Sequence, residues 1–217
     1  DILKGNTKKN YQNSLSTKHD QFKKSKEVFK KYSRIQFETT SRCTLACPYC
    51  ARTIQKNTGA YKKGDLSVEV IDDVINYTDW ENIDDCGRYG DPIFYKHYHE
   101  LIDILSDSKV KLYRASIAAT GRNKKWWNTT IDKFIKAKNN GINIELVFGI
   151  DGLRGASAKH RINQNFEEIW NAMIDCKKAG LSVTWQVIAT SYNEDQLDEI
   201  YKLSEELDIP VRLVISS

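Results

Sequence analysis

Six short apolar runs alternate with segments of helical spacing from residue 35 to residue 215, and this alternation confines the chain to a parallel α/β architecture. The runs are Ile35–Thr39, Ile83–Gly87, Leu112–Ala118, Ile144–Ile150, Ser182–Ala189 and Val211–Ile215. β-Branched and aromatic residues, which suit a pleated surface, dominate several of them. Helical spacing is read over Val68–Tyr77, His97–Leu105, Asn128–Ala137, Phe166–Ala179 and Glu194–Leu207. Ser67 is placed to cap the first of these, and Gly141 and Gly180 to end the third and fourth. Strands separated by helices pair in parallel through right-handed crossovers. The runs are apolar rather than strictly alternating, which predicts strands covered on both faces. A complete eight-unit barrel takes about 250 residues, whereas this chain has 217. The expected fold class is therefore α/β, a partial (β/α)6, TIM-like barrel of parallel strands over residues 34–217, after a basic arm or helix over residues 1–33.

In such sheets the chemistry gathers where the strands end. The sequence places distinctive residues there. Thr40–Cys50 follows the first run, Arg88-Tyr89-Gly90-Asp91-Pro92 the second, Thr120-Gly121 the third, and Asp151-Gly152 the fourth. Glycine, cysteine and acidic residues thus collect on one rim, which predicts a site there.

Five cysteines stand at 43, 47, 50, 86 and 176, and three of them fall within eight residues. An odd, clustered set is a poor disulfide framework and reads as a metal site in a reducing compartment. Cys43, Cys47 and Cys50 are spaced x3 and x2 directly after a strand. Thiolates suit soft iron, and an iron–sulfur cluster is ordinarily held by four of them. Three from one loop leave one iron without a protein ligand, and an open position on a metal is where substrate binds. The alternative is structural zinc, with Cys86 as a fourth ligand. Zinc sites usually pair two short hairpins, whereas the split here is three and one. Cys176, in an apolar helical stretch, reads as core.

The segment Cys43-Thr-Leu-Ala-Cys47-Pro-Tyr-Cys50 resembles the CxxxCxxC signature of the radical S-adenosylmethionine superfamily, including the aromatic Tyr49 before the last cysteine. The resemblance covers roughly residues 34–217 and implies a [4Fe–4S] cluster with Cys43, Cys47 and Cys50 as ligands and S-adenosylmethionine as cofactor. Cys86–Pro92 resembles the family's GGEP motif, which implies that Gly90 and Asp91 face the methionine amino group. Tyr89 stands where the motif has its first glycine and Asp91 where it has glutamate. Ala119-Thr120-Gly121 is similar to the family's TNG turn, and Gly149-Ile-Asp151-Gly152 to its SxDG turn, with Gly149 in place of the serine. By the same likeness Thr120 and Asp151 belong to the cofactor site, and Arg161 pairs with the methionine carboxylate through its bidentate fork. Gln186–Asn193 resembles the fifth-strand segment of the peptide-modifying branch that carries extra C-terminal clusters, although no cysteine follows Cys176 here.

The resemblance implies reductive cleavage of S-adenosylmethionine to a 5′-deoxyadenosyl radical, with a peptide or protein as first substrate choice and a reductase, flavodoxin or ferredoxin as electron donor. Ten basic against three acidic residues in 1–34 leave 23 against 26 in the remainder. That basic arm motivates a second reading, action on RNA or a nucleotide-like molecule. The departures at Tyr89, Asp91 and Gly149 motivate a third, an inactive cluster- or zinc-binding module. No run of 18 apolar residues occurs, so no membrane span is expected, and an oxygen-sensitive, cytoplasmic protein is. His97 and His99, two apart, share no helical face; these and His160 read as surface or cap residues. Trp126-Trp127 reads as loop packing, a cover for the site or a partner surface.

Overall fold

The computed structural model describes residues 33–77 and 80–215; the basic arm expected over residues 1–33 lies almost entirely outside them. Six strands form one parallel sheet in the order β1-β2-β3-β4-β5-β6. They are β1 Arg34–Phe37, β2 Asn82–Asp85, β3 Leu112–Ile117, β4 Asn143–Gly149, β5 Ser182–Ala189 and β6 Val211–Ile215. The pairing runs only between neighbours, so the sheet is an open, partial barrel with β1 and β6 at its margins. The helices are α1 Ala51–Asn57, α2 Val68–Tyr77, α3 Tyr98–Ser106, α4 Lys124–Asn139, α5 Ser157–His160, α6 Phe166–Lys178 and α7 Leu197–Leu207.

Among the described residues, only one face of the sheet carries the apolar core, contrary to the expectation of strands covered on both faces. Tyr113, Ala115 and Ile117 of β3, Ile144, Leu146 and Phe148 of β4, and Val183, Trp185 and Val187 of β5 are buried. They meet helical aromatics: Phe134 packs on Tyr113, Trp127 on Phe148, and Trp170 edge-on to Trp185. Each such fully buried side chain contributes about 1.5–3 kcal/mol. The alternate residues point to the other face and are polar. Asp84 joins Arg34 at 3.1 Å and Arg114 at 3.3 Å, and Arg114 reaches Glu145 at 2.6 Å, a ladder of alternating charge across β1 to β4. Higher on the same face stand Ser116 and Gln186, half-buried. The period of two was partly hidden in the sequence because Val147, Ile188 and Val214 interrupt the polar set.

Capping fixes the helices as expected or earlier. Ser67 accepts from the Val70 amide at 3.3 Å ahead of α2. Asn123 accepts from the Trp126 amide at 2.9 Å, so α4 begins at Lys124 and takes in both tryptophans that read as loop. Trp127 is buried, and Trp126 stacks on Tyr98 and His99. Gly141 and Gly180 close α4 and α6 with φ of 101° and 79°, a region that suits glycine.

Candidate functional site

The carboxyl ends of the strands surround a cavity of about 680 Å³. Its wall on the β1 side is the cysteine loop. That loop is tied down at three points: the Asp91 amide donates to the Arg42 carbonyl at 2.9 Å, Thr44 Oγ1 to the Thr120 carbonyl at 2.7 Å, and the Ala46 amide to the Ile162 carbonyl at 3.0 Å. Cys43, Cys47 and Cys50 all line the cavity. Cys50 is the N-cap of α1, its amide donating to the Cys47 carbonyl at 3.2 Å. Burial pushes the Cys43 thiol up to about 12, with the Asp91 charge adding to it and the Leu45 amide and Arg52 opposing it. Burial also raises the Cys47 thiol, against the charge of Arg161.

Cys86 does not line this cavity. Its thiol, raised by burial, feels Asp84, Asp85, Glu38 and Arg212. A tetrahedral zinc with Zn–S of 2.3 Å needs its sulfurs about 3.8 Å apart, and among the described residues no three His, Cys, Asp or Glu side chains converge on a single ion. In a cubane each thiolate binds a different iron, so the sulfurs face one space without converging. Three soft thiols on one wall of a roomy cavity fit that group.

The loop after β2 packs directly against the cysteine loop. A Cβ on Gly90 would come within 1.8 Å of the Thr40 carbonyl oxygen, so only glycine fits. Glu38 Oε1 accepts from the amides of Tyr89 and Gly90, the latter at 3.2 Å. Asp91 lines the cavity, but its carboxylate faces the scaffold. Oδ2 accepts from the Ala118 and Ala119 amides at 2.7 and 2.8 Å, and Oδ1 from the Ile93 amide at 3.3 Å. Burial nevertheless raises its pKa.

Asp151, 1 % exposed, does not line the cavity but holds two side chains that do. His160 Nδ1 donates to Oδ2 at 2.7 Å, and Arg161 Nη2 to Oδ1 at 3.0 Å. Arg161 Nε also lies 2.8 Å from Oδ2, misaligned for a hydrogen bond, so that contact is purely electrostatic. Burial works against the Asp151 charge, but His160, Arg161 and the Ile188 amide hold its carboxyl below the usual range. Arg161 lies across Gly149, where a Cβ would meet Nη2 at 2.7 Å. The serine missing at 149 is thus explained by the guanidinium that occupies its place.

Thr120 lies away from the cavity lining. It is a strut: its carbonyl takes Thr44, and its hydroxyl accepts from the Asn165 amide at 3.1 Å. Tyr49 is 86 % exposed at the cavity edge. The structure therefore brings Cys43, Cys47, Cys50, Tyr49, Gly90, Asp91 and Arg161 to one cavity and sets Thr120 and Asp151 behind it.

Four residues of the site escaped the sequence reading. His160 lines the cavity and is no surface residue; the acidic Asp151 nine positions earlier was its one signal. Arg52 is buried in α1, a helix without apolar periodicity. Lys159 Nζ lies 6.0 Å from the ring centre of Tyr192, and both line the cavity. Glu38, at the end of β1, has no signal until the loop it holds is in place.

Residues 37–204 match the family described as the Radical SAM superfamily. Among solved structures, anSMEcpe with bound AdoMet aligns with a TM-score of 0.62 at 16 % identity, over 84 % of this chain and 51 % of that one. SuiB of Streptococcus suis bound to S-adenosylmethionine aligns with a TM-score of 0.64 at 13 % identity, over 88 % and 44 %. Methylornithine synthase (PylB) aligns with a TM-score of 0.55 at 17 % identity, over 84 % and 52 %. AnSMEcpe is also known with a bound Kp18Cys peptide, and SuiB with its precursor peptide SuiA. This chain spans about half the length of these structures. No curated protein sequence matches it.

Proposed function

The chain belongs to the radical S-adenosylmethionine superfamily, and from that premise we propose that it is an enzyme that starts radical chemistry on a peptide or protein. The observation that carries the reading is the placement of Cys43, Cys47 and Cys50 around a single cavity that Arg161 also lines. Cys43, Cys47 and Cys50 would hold a [4Fe–4S] cluster there, which would supply one electron and an open iron to bound S-adenosylmethionine, the source of a 5′-deoxyadenosyl radical for hydrogen-atom abstraction.

The rest is positioning by the chain's own groups. Among the described lining residues Asp91 is the only carboxylate, and three backbone amides occupy it. Arg52, Arg88, Lys159 and Arg161 also line the cavity. A cationic pocket of this kind suits a carboxylate-bearing ligand beside an anionic thiolate centre. Asp151 holds the Nε–Nη2 edge of Arg161, which leaves Nη1 to meet that carboxylate. Ile188 and Val147 supply apolar wall that helps exclude water.

Peptide substrates are favoured by the two structural neighbours that bind peptides, a fold-level analogy. The reading includes a low-potential donor of flavodoxin or ferredoxin type and a reducing cytoplasm, where free thiols persist. Among the described residues no helix is long and apolar enough to cross a membrane.

The test is anaerobic reconstitution with iron, sulfide, reductant and S-adenosylmethionine. Wild type should release 5′-deoxyadenosine and Cys47→Ala should not. Release accelerated by peptides supports the substrate class; acceleration by RNA alone would replace it with the nucleic-acid reading. A colourless protein holding one zinc would leave only the inactive-module reading.

A further inference from the structure

Helix α1 departs from the usual amphipathic pattern: the one side chain it buries is a guanidinium. Arg52 is 2 % exposed, while Ile54 of the same helix is 51 % exposed. Nη2 donates to the Leu45 carbonyl inside the cysteine loop. Nε is fully buried and has no hydrogen-bond partner. Among the described residues, Arg52 forms no ion pair with a carboxylate. Arg161, the other buried cation of the cavity, sits 2.8 Å from Asp151. A charge buried without an anion is strongly destabilising, so an unpaired guanidinium persists where an anion completes it. The cavity that Arg52 lines contains the three thiols.

We infer that Arg52 is the built-in counter-cation of the three-thiolate centre, a positioning residue that strengthens retention of the iron–sulfur cluster and raises its reduction potential. The inference rests on the proposed cluster reading. The electrostatic sign is direct. Reduction adds negative charge beside Arg52, so a neighbouring cation favours the reduced form, and its removal moves the midpoint to more negative potential.

The experiment compares wild type, Arg52→Lys and Arg52→Gln after anaerobic reconstitution. Iron and sulfide content, circular dichroism and the electron paramagnetic resonance signal at poised potentials are measured without S-adenosylmethionine. At the potential where wild type is half reduced, the reduced-to-oxidised ratio of Arg52→Gln should fall about tenfold, a shift of about 59 mV for a one-electron couple. Arg52→Lys, which keeps the charge but not the fork, should stay close to wild type. Arg52→Gln with wild-type loading and an unshifted midpoint would overturn the inference. So would Arg52→Lys failing to load as completely as Arg52→Gln, because geometry rather than charge would then be what matters. If Arg52→Gln is folded but loses iron that Arg52→Lys retains, the inference stands on retention. Wild type without iron and sulfide would instead refute the cluster reading itself.

Discussion

Gly149→Ser would restore the family's hydroxyl, yet the structure predicts that it does harm. A Cβ at 149 would stand 2.7 Å from Arg161 Nη2 and 2.9 Å from Cζ, closer than real Cβ contacts come, so the guanidinium must move. A free arginine would swing aside at little cost. This one is 9 % exposed and bonded to Asp151 at 3.0 Å. Losing one charge-assisted hydrogen bond at a buried site costs about 1.5–3 kcal/mol. For a domain of this size that is roughly 3–12 °C in melting temperature. The assay is thermal or urea unfolding of Gly149→Ser, Arg161→Ala and the double variant. The Arg161→Ala background leaves space over residue 149, so the serine should there cost less than about 0.5 kcal/mol, and the cycle should return a coupling of about 1.5–3 kcal/mol. Equal losses in both backgrounds, or no loss in either, would show that Arg161 does not fill the place of the missing side chain.

Two further outcomes follow from groups away from the cavity wall. Burial pushes the Asp85 carboxyl up to about 7, with hydrogen bonds from Tyr113 and Thr39 only partly opposing it. The folded value lies above the unfolded one, so this stabilisation is full below about pH 4 and is lost as pH rises through about 7; three pH units correspond to about 4 kcal/mol. Urea unfolding at pH 5 and pH 8 should show Asp85→Asn flattening that slope, and an unchanged slope would exclude Asp85 as its source. Cys86→Ser should leave iron and sulfide content within about a tenth of wild type, because Cys86 lies outside the cavity; loss of most of the iron would make it a ligand after all.

The fold was legible because the six strands differ so sharply from what separates them. All six lie within two residues of the predicted runs. What the sequence concealed was the sidedness of the sheet. Tyr113, Ala115 and Ile117 alternate with Arg114 and Ser116, but the neighbouring Leu112 and Ala118 extend the run and blur its period. The cysteine rim was legible for a different reason: thiols crowded within eight residues have few structural uses. The supporting groups were hidden because each acts across a long separation. Glu38 reaches the loop at 89–90, Thr44 reaches Thr120, and Asp151 reaches Ile188. Helices α1 and α5 were missed because they are short and lack an apolar stripe. A sequence pattern detects stripes, and a helix that buries only an arginine has none.

The departures from the family pattern motivated the inactive reading, and the structure gives each of them a physical account. Asp91 is one methylene shorter than glutamate, and it spends both oxygens on the ends of the loops after β2 and β3, joining them through Ile93, Ala118 and Ala119. Glu38 then holds the Tyr89-Gly90 stretch from the β1 side. Gly149 lacks a hydroxyl, but the space it leaves admits Arg161, which Asp151 fixes in the cavity. A decaying site loses partners one at a time and leaves buried polar groups orphaned. Here the substituted positions are filled, and among the described lining residues the polar side-chain atoms left without a hydrogen bond are Arg52 Nε, in the cavity that holds the three thiols, and Arg161 Nε, which is 2.8 Å from Asp151 Oδ2. Satisfied capacity at the substituted positions supports the proposed active reading over the inactive module.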